Sequence, residues 1–375
     1  MRIAITEQTY AEERLVLGTG IPGVTYTYCP GKWHMRFKAR NDRYYEFYKS
    51  AFQRVDGYHV FNMVMLTDKP WCANFETMMP RGRHTLDVHH HASFDIRPDS
   101  YTRFMLKAMA RDNCKRLMAL SECNLRLQHL LYDQYPDLAP RLKAKTCVAP
   151  VPQPLIAAEP RQKLNDRLRF CFVGRDFGRK GVPELVRALC RLRQKRRDFE
   201  LVLVTQTANT YNYAFKHFQD SDDDIKAVQA TIEAQKDWIT LHPELPFAEV
   251  RELLLACDVG LLPTWAESYG YSTLEMEAAA MPCVTTNVRA LPETNPTGWR
   301  VELPLNYAGE VALACKEQKE AVRASMESQL FDIFDAMLDD RASVLSKGEE
   351  AWNFIRQEHS PERYSQFVAD VYSQF

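Results

Sequence analysis

The sequence predicts an α/β protein built from two doubly wound parallel sheets. Three observations carry that prediction. Short apolar runs alternate with longer amphipathic ones along most of the chain, the pattern of parallel strands joined by crossover helices. A Pro-rich break, Val148-Ala149-Pro150-Val151-Pro152-Gln153-Pro154, interrupts the alternation and reads as an interdomain linker. The 375 residues are enough for two domains of ordinary size.

In the front half, short apolar and aromatic runs place strands at Arg2–Thr6, Val24–Tyr28, Tyr58–Met65, Trp71–Phe75 and Leu117–Leu120. Longer amphipathic stretches place helices at Asp42–Phe52, Ser100–Asp112 and Glu122–Tyr132. After the linker the alternation resumes. Strands are expected at Arg169–Val173, Glu200–Thr205, Ile239–Leu241, Val259–Leu262 and Cys283–Thr286. Helices are expected at Val182–Lys195, Asp223–Lys236, Glu249–Ala256 and Ser272–Ala280. Such a sheet binds ligands at the carboxyl ends of its strands. The tail from Lys347 is helical in pattern with a break at His359-Ser360-Pro361. Trp352, Phe354 and Ile355, then Phe367, Val371 and Tyr372, form its candidate buried stripes.

The composition is that of a soluble globular protein, with no run as long as a membrane-spanning helix. Met1-Arg2-Ile3-Ala4-Ile5-Thr6 reads as a short strand and not as a signal peptide. Ten cysteines are scattered with no Cys-x-x-Cys pair, as expected of reduced core thiols in the cytoplasm. The net charge of −1 hides an asymmetry. Residues 1–150 carry 22 Lys+Arg against 15 Asp+Glu, and the remainder 26 against 34. Arg36, Lys38, Arg40, Arg81, Arg83, Arg103, Lys107, Arg111, Lys115 and Arg116 contribute to the basic half. A basic face suits a phosphate-bearing acceptor or peripheral contact with the anionic inner face of a membrane, and equally an ordinary solvated surface. No nucleic-acid partner is expected. Gly-x-Gly-x-x-Gly and Gly-x-x-x-x-Gly-Lys-Ser/Thr are both missing, so dinucleotide and P-loop readings lack their fingerprints.

Residues 263–293 are the most informative stretch. Glu267 and Glu275 lie eight positions apart around Ser268, Tyr269 and Gly270, between an apolar strand and an Ala-rich helix. A strand, a Gly-containing loop and a helix start make an anion site, because free backbone N–H groups and the positive end of the helix dipole converge there. The two carboxylates are placed to accept hydrogen bonds from hydroxyls beside that anion. A diphosphate flanked by two sugars needs such a site. Upstream, Phe172-Val173-Gly174-Arg175-Asp176-Phe177-Gly178-Arg179-Lys180-Gly181 forms a second block.

The two blocks resemble the Glu-x7-Glu and Gly-Arg…Lys-Gly motifs of retaining GT-B glycosyltransferases, family 4, also described as glycosyl transferases group 1. The resemblance runs from about Arg169 to Arg300. It implies two Rossmann-like domains facing a cleft. Residues 1–150, with the C-terminal helix 357–375 crossing back, would bind the acceptor, a glycan or lipid-linked hydroxyl; residues 160–350 would bind the nucleotide-sugar donor. It implies that Gly174, Arg175 and Lys180 contact the diphosphate with neither metal nor cofactor, the donor being a UDP- or GDP-sugar. Glu275 then meets the ribose, Glu267 the donor sugar, and the N–H groups of Ser268, Tyr269 and Gly270 phosphate or sugar. His242 lies where the family holds its nucleobase, with Thr205 and Gln206 on the same rim.

The chain also departs from the family. Ala280 replaces a usual Gly, and Arg289-Ala290 a usual Gly-Gly. Thr6-Glu7-Gln8-Thr9 stands where a glycine loop is usual. Glu76 ends the strand that normally carries a catalytic His, so it is the positional candidate near the acceptor or anomeric carbon, with His89-His90-His91 as rival. Glu277 reads as a surface residue of its helix. Asp220–Asp224 reads as a polar helix start rather than a metal site. The alternatives to transfer are a GT-B phosphorylase or epimerase, and a catalytically silent sugar-nucleotide-binding protein.

Overall fold

The computed structural model describes residues 1–5, 10–28, 46–48 and 54–375. The first part of the chain carries strands β1 Arg2–Ile5, β2 Thr25–Tyr28, β3 Glu46–Tyr48, β4 Gly57–Phe61, β5 Val64–Leu66, β6 Trp71–Phe75, β7 Cys114–Ala119 and β8 Thr146–Val148. Its helices are α1 Tyr10–Leu15, α2 Arg83–Asp87, α3 Ser100–Ala110, α4 Glu122–Asp133 and α5 Ala139–Lys145. Then come β9 Leu168–Asp176, α6 Val182–Arg193, β10 Phe199–Gln206, α7 Asp222–Ala234, β11 Ile239–His242, α8 Phe247–Ala256, β12 Val259–Leu262, α9 Tyr271–Ala278 and β13 Cys283–Thr286. The chain closes with α10 Leu291–Thr294, β14 Trp299–Val301, α11 Lys316–Asp339, α12 Arg341–Glu358 and α13 Pro361–Tyr372. It divides into two units, 1–153 with 359–375, and 154–358. No helix among the described residues is long and apolar enough to cross a membrane.

Each unit is built on a six-stranded parallel sheet. In the first the order is β2-β1-β4-β6-β7-β8. The C-terminal α13 belongs to this unit and is fastened by a buried polar network. His59 on β4 bonds the Tyr372 hydroxyl through Nδ1 at 2.7 Å and Asn74 Oδ1 through Nε2 at 2.6 Å. Tyr364 donates to the same Asn74 oxygen at 3.3 Å. At the entry to the helix, His359 Nδ1 lies 2.7 Å from the Val151 carbonyl, and Gln153 N–H donates to the His359 carbonyl at 2.8 Å. The buried face of α13 is Tyr364, Val368, Val371 and Tyr372; Phe367, expected in the stripe, is half-buried.

Two expectations in the front half fail. The stretch 58–65 is not one strand: Asn62 has φ +56°, which turns the chain and sends Val64–Leu66 to pair with β3 in a separate two-stranded sheet. Glu46–Tyr48, expected inside a helix, is that partner strand. The rest of that expected helix, Thr6–Thr9, and Arg36, Lys38 and Arg40 lie outside the described residues.

In the second unit the order is β11-β10-β9-β12-β13-β14. Both faces of this sheet are covered, which is why its strands read as nearly continuous apolar runs. On one face Phe170 of β9 packs on Phe334 of α11, ring centroids 4.8 Å apart, beside Phe172, Leu201 and Leu203. On the other face Cys171, Val202, Met276 and Cys283 pack together. Each fully buried Phe contributes roughly 1.5–3 kcal/mol of burial. The strand order reverses between β9 and β12, and the switch point of an open α/β sheet is where ligands bind.

Candidate active site

The two motif blocks are the carboxyl end of β9 with the turn that leaves it and the loop that leaves β12, so the switch point brings them side by side. Gly181, at the N-cap of α6, has φ +77°, and a Cβ there would lie 1.9 Å from the Pro263 carbonyl oxygen. Only glycine lets the loops approach so closely. Hydrogen bonds then join them. Trp265 N–H donates to the Arg179 carbonyl at 2.9 Å, and Arg179 Nη1 to the Ala266 carbonyl at 2.7 Å. Lys180 is ion-paired with Glu267, and both side chains are largely buried. Burial would raise the Glu267 carboxyl, but Lys180, Arg179 and the Ser268 N–H together hold it below the usual carboxylate range. Arg179 also pairs with Asp176 and lies 5.5 Å from the Tyr213 ring centroid.

Arg175 is exposed at the rim, its carbonyl accepting from Thr205 Oγ1 at 3.4 Å. An open pocket of about 610 Å³ lies here, lined by Arg175, Asp176, Arg179, Gln206, Asn209 and Tyr213. Gly174, also in the last residues of β9, is half-buried. Across the carboxyl edge of the sheet, the strand order sets His242 at the end of β11, Thr205 near the end of β10, Gly174 and Arg175 near the end of β9 with Lys180 in the turn that follows, and Glu267–Gly270 after β12. The site residues expected in this unit therefore share one edge.

Gly270 is the N-cap of α9 with φ +97°, and a Cβ on it would meet Leu291 Cδ2 at 2.6 Å. The Ser268 N–H donates to Glu267 Oε1 at 3.1 Å, an interaction of the loop with its own carboxylate. Tyr269 and Glu275 are buried, Glu275 within the first turns of α9. Glu277 corrects an expectation. It is fully buried, neither oxygen has a hydrogen-bond partner, and burial pushes its carboxyl well above the usual range. Every residue from Thr273 to Ala280 is buried, so this helix has no solvent face for Glu277 to occupy.

The residues at the departures, Ala280 and Arg289, hold the left-handed backbone that favours glycine although each carries a side chain. Ala280 has φ +58°, and α9 ends in a Schellman motif: Met281 N–H donates to the Met276 carbonyl at 3.1 Å and Ala280 N–H to Glu277 at 2.9 Å. Arg289 has φ +52° and pairs with Glu310 at 3.4 Å. Arg179, Tyr213 and Glu310 were not anticipated as site residues. Arg179 lies inside a recognised block, but nothing near Glu310 in the sequence signals its place.

Glu76 lies in the first unit, after the carboxyl end of β6. Its N–H donates to Asn62 Oδ1 at 3.1 Å, and its carboxylate pairs with Arg81 at 3.3 Å. In the rival His run, His89 is buried, His90 half-buried and His91 exposed, so the three differ in environment. The acidic run is structural: Ser221 caps α7, Asp222–Asp224 form its first turn, and Asp220 pairs with Lys319 and Arg323.

Residues 167–317 match the family described as glycosyl transferases group 1. The D-inositol 3-phosphate glycosyltransferase of Pseudarthrobacter chlorophenolicus is 28% identical over 180 residues, 48% of this chain and 36% of that protein. The alpha-maltose-1-phosphate synthase of Mycolicibacterium smegmatis is 32% identical over 158 residues, 42% of this chain and 38% of that one. The matches thus span well under half the length of these relatives. Anabaena HepE, solved in complex with UDP and glucose, superimposes with a TM-score of 0.60 at 12% identity over the whole of both chains. The chain has the GT-B fold of glycosyltransferases, and its residues 167–317 match glycosyl transferases group 1.

Proposed function

We propose that this protein is a retaining glycosyltransferase, moving a sugar from a nucleotide-sugar donor to a hydroxyl of a glycan or glycolipid. The buried Lys180–Glu267 pair at the switch point carries the reading, because it links the cationic loop after β9 to the carboxylate loop after β12. Sugar transfer passes through an oxocarbenium-like state while negative charge grows on the departing diphosphate. Arg175 and Lys180 stabilise that charge more in the transition state than in the ground state. The loop at Gly270 and the start of α9 add backbone N–H groups and the helix dipole. Glu267 accepts from a donor-sugar hydroxyl and Glu275 from the ribose, each a charge-assisted hydrogen bond. His242 and Thr205 border the nucleobase end. Glu76 and the basic front half serve the acceptor, with membrane contact through that basic face at the cytoplasmic side. The cations make a metal unnecessary.

The test is incubation with UDP-, GDP-, ADP- and TDP-sugars. A thermal shift identifies the donor, because a ligand of the native state raises apparent stability. Release of nucleoside diphosphate, undiminished by EDTA, with the anomeric configuration kept in the product, is expected. Release of sugar 1-phosphate would indicate a phosphorylase, and loss of turnover on chelation would put a metal back in the mechanism.

A further inference from the structure

Arg289 holds a left-handed backbone that costs a residue with a side chain about 1–2 kcal/mol, and such strain persists where the surroundings enforce it. Two contacts enforce it here. Arg289 N–H donates to the Gly309 carbonyl at 2.9 Å, and its buried guanidinium pairs with Glu310. The Glu310 backbone is fixed in turn by Asn306 Oδ1, which accepts from its N–H at 3.1 Å. One Glu310 carboxylate oxygen, Oε2, is buried with no hydrogen-bond partner. The loops that carry this pair adjoin the motif loops: Thr286 Oγ1 donates to the Thr264 carbonyl at 2.7 Å, Thr294 Oγ1 to Tyr269 at 3.3 Å, and Leu291 packs on Gly270.

We propose that Glu310, held by Arg289, is a positioning residue of the donor site that takes up a proton when the diphosphate of a sugar nucleotide binds. This rests on the donor reading above. The groups interacting with Glu310 are Arg289, Glu267, Arg179 and Tyr213. With Lys180 and Asp176 the charged groups here are three cations and three carboxyls, joined in the pairs Arg179–Asp176, Lys180–Glu267 and Arg289–Glu310. A dianionic diphosphate added to these groups raises the proton affinity of the carboxyls. Glu267 is held low by Lys180 and Arg179. Glu310 is pushed up to about 7 by burial, with Arg289 and Arg179 opposing and Glu267 reinforcing. The Tyr213 hydroxyl is raised by burial and by Glu310, so it stays neutral. Glu310 is therefore the group that accepts the proton from solvent. Its neutralisation removes one carboxylate repelling both Glu267 and the ligand.

Calorimetric titration tests this with UDP-glucose, GDP-mannose and ADP-glucose, whose diphosphates have no group titrating near neutrality. Each titration is run at pH 6, 7 and 8 in buffers of different ionisation enthalpy. The sugar nucleotide that binds should carry with it about 0.5 proton at pH 7, and its affinity should fall roughly fivefold from pH 6 to pH 8. Glu310→Gln should bind with no proton uptake and a flat pH profile. Arg289→Gly, which suits the backbone at that position and keeps the test open if Glu310→Gln does not fold, should move the uptake to higher pH, because Glu310 loses its cation. Binding without uptake, uptake persisting in Glu310→Gln, or an unmoved window in Arg289→Gly overturns this proposal and leaves the donor reading standing. If none of the three sugar nucleotides binds at any pH, both fall.

Discussion

Lowering the pH from 6.5 to 5 should loosen the C-terminal helix α13 by about 3 kcal/mol. Two buried histidines in the first unit set this figure. Burial lowers His59 from 6.5 to about 4, only partly offset by its bond to Asn74. Burial lowers His359 from 6.5 to about 4 as well, partly offset by the Val151 carbonyl and reinforced by Arg14. Between those values the unfolded chain holds protons that the folded chain refuses. Stability is therefore complete above pH 6.5 and falls as the pH drops towards 4. The slope approaches about 1.4 kcal/mol per pH unit for each histidine below pH 6.5, where the unfolded imidazole is half protonated, which gives about 1.6 kcal/mol each between pH 6.5 and 5. Protonation of His59 would also remove the acceptor that Tyr372 needs, so α13 is where the loss should show. Amide hydrogen exchange across Pro361–Tyr372, corrected for intrinsic rate, should report an opening constant about 200-fold larger at pH 5 than at pH 6.5. His359→Gln should halve the effect on the energy scale. Strand β9, in the other unit, should not follow, since Glu277 and Glu310 have raised carboxyls whose contribution is lost as pH rises instead. A change in α13 of less than tenfold would refute the reasoning.

Lys180→Ala should lower kcat/KM by about 10²-fold, about 2.7 kcal/mol, the scale of one donor to a developing anion. Because it also strands Glu267 in a buried site, Lys180→Ala combined with Glu267→Gln should lose less than the two single changes added, which a double-mutant cycle reads directly. Glu275→Gln should weaken nucleoside diphosphate and whole donor alike, whereas Glu267→Gln should spare the nucleoside diphosphate and impair transfer; calorimetry on both variants decides, and equal losses would overturn the donor pose. Ala280→Gly should raise stability by about 0.5–1 kcal/mol, as the αL position of the Schellman motif relaxes by more than the unfolded chain gains in freedom; an unchanged urea midpoint counts against it. Glu277→Met should stabilise the second unit by on the order of 2 kcal/mol, and more at pH 8 than at pH 5, measured by denaturant unfolding at both.

The sequence alone determined the second sheet closely. Val259–Leu262 and Cys283–Thr286 are the strands observed, residue for residue, because a strand buried on both faces is written as an unbroken apolar run. The two motif blocks were also legible, since loop glycines and spaced carboxylates are local signals. The helix α11 was missed although it is the longest among the described residues: its buried stripe includes the charged Lys319 and Arg323 beside Met326, Leu330 and Phe334, so the apolar periodicity that marks a core-facing helix is broken. In the front half a left-handed Asn62 broke a strand that its apolar run had joined. Tertiary structure alone decided the charge state of the site. Lys180 meets Glu267 across 87 positions, Arg289 meets Glu310 across 21, and Glu277 loses water only when its whole helix is enclosed. Burial and pairing depend on elements that arrive from elsewhere in the chain, while periodicity and turn chemistry are properties of neighbours. The chain therefore announces where its loops lie, and only their approach at the switch point of the sheet fixes which of their charges are paired, which are protonated and which remain open to a ligand.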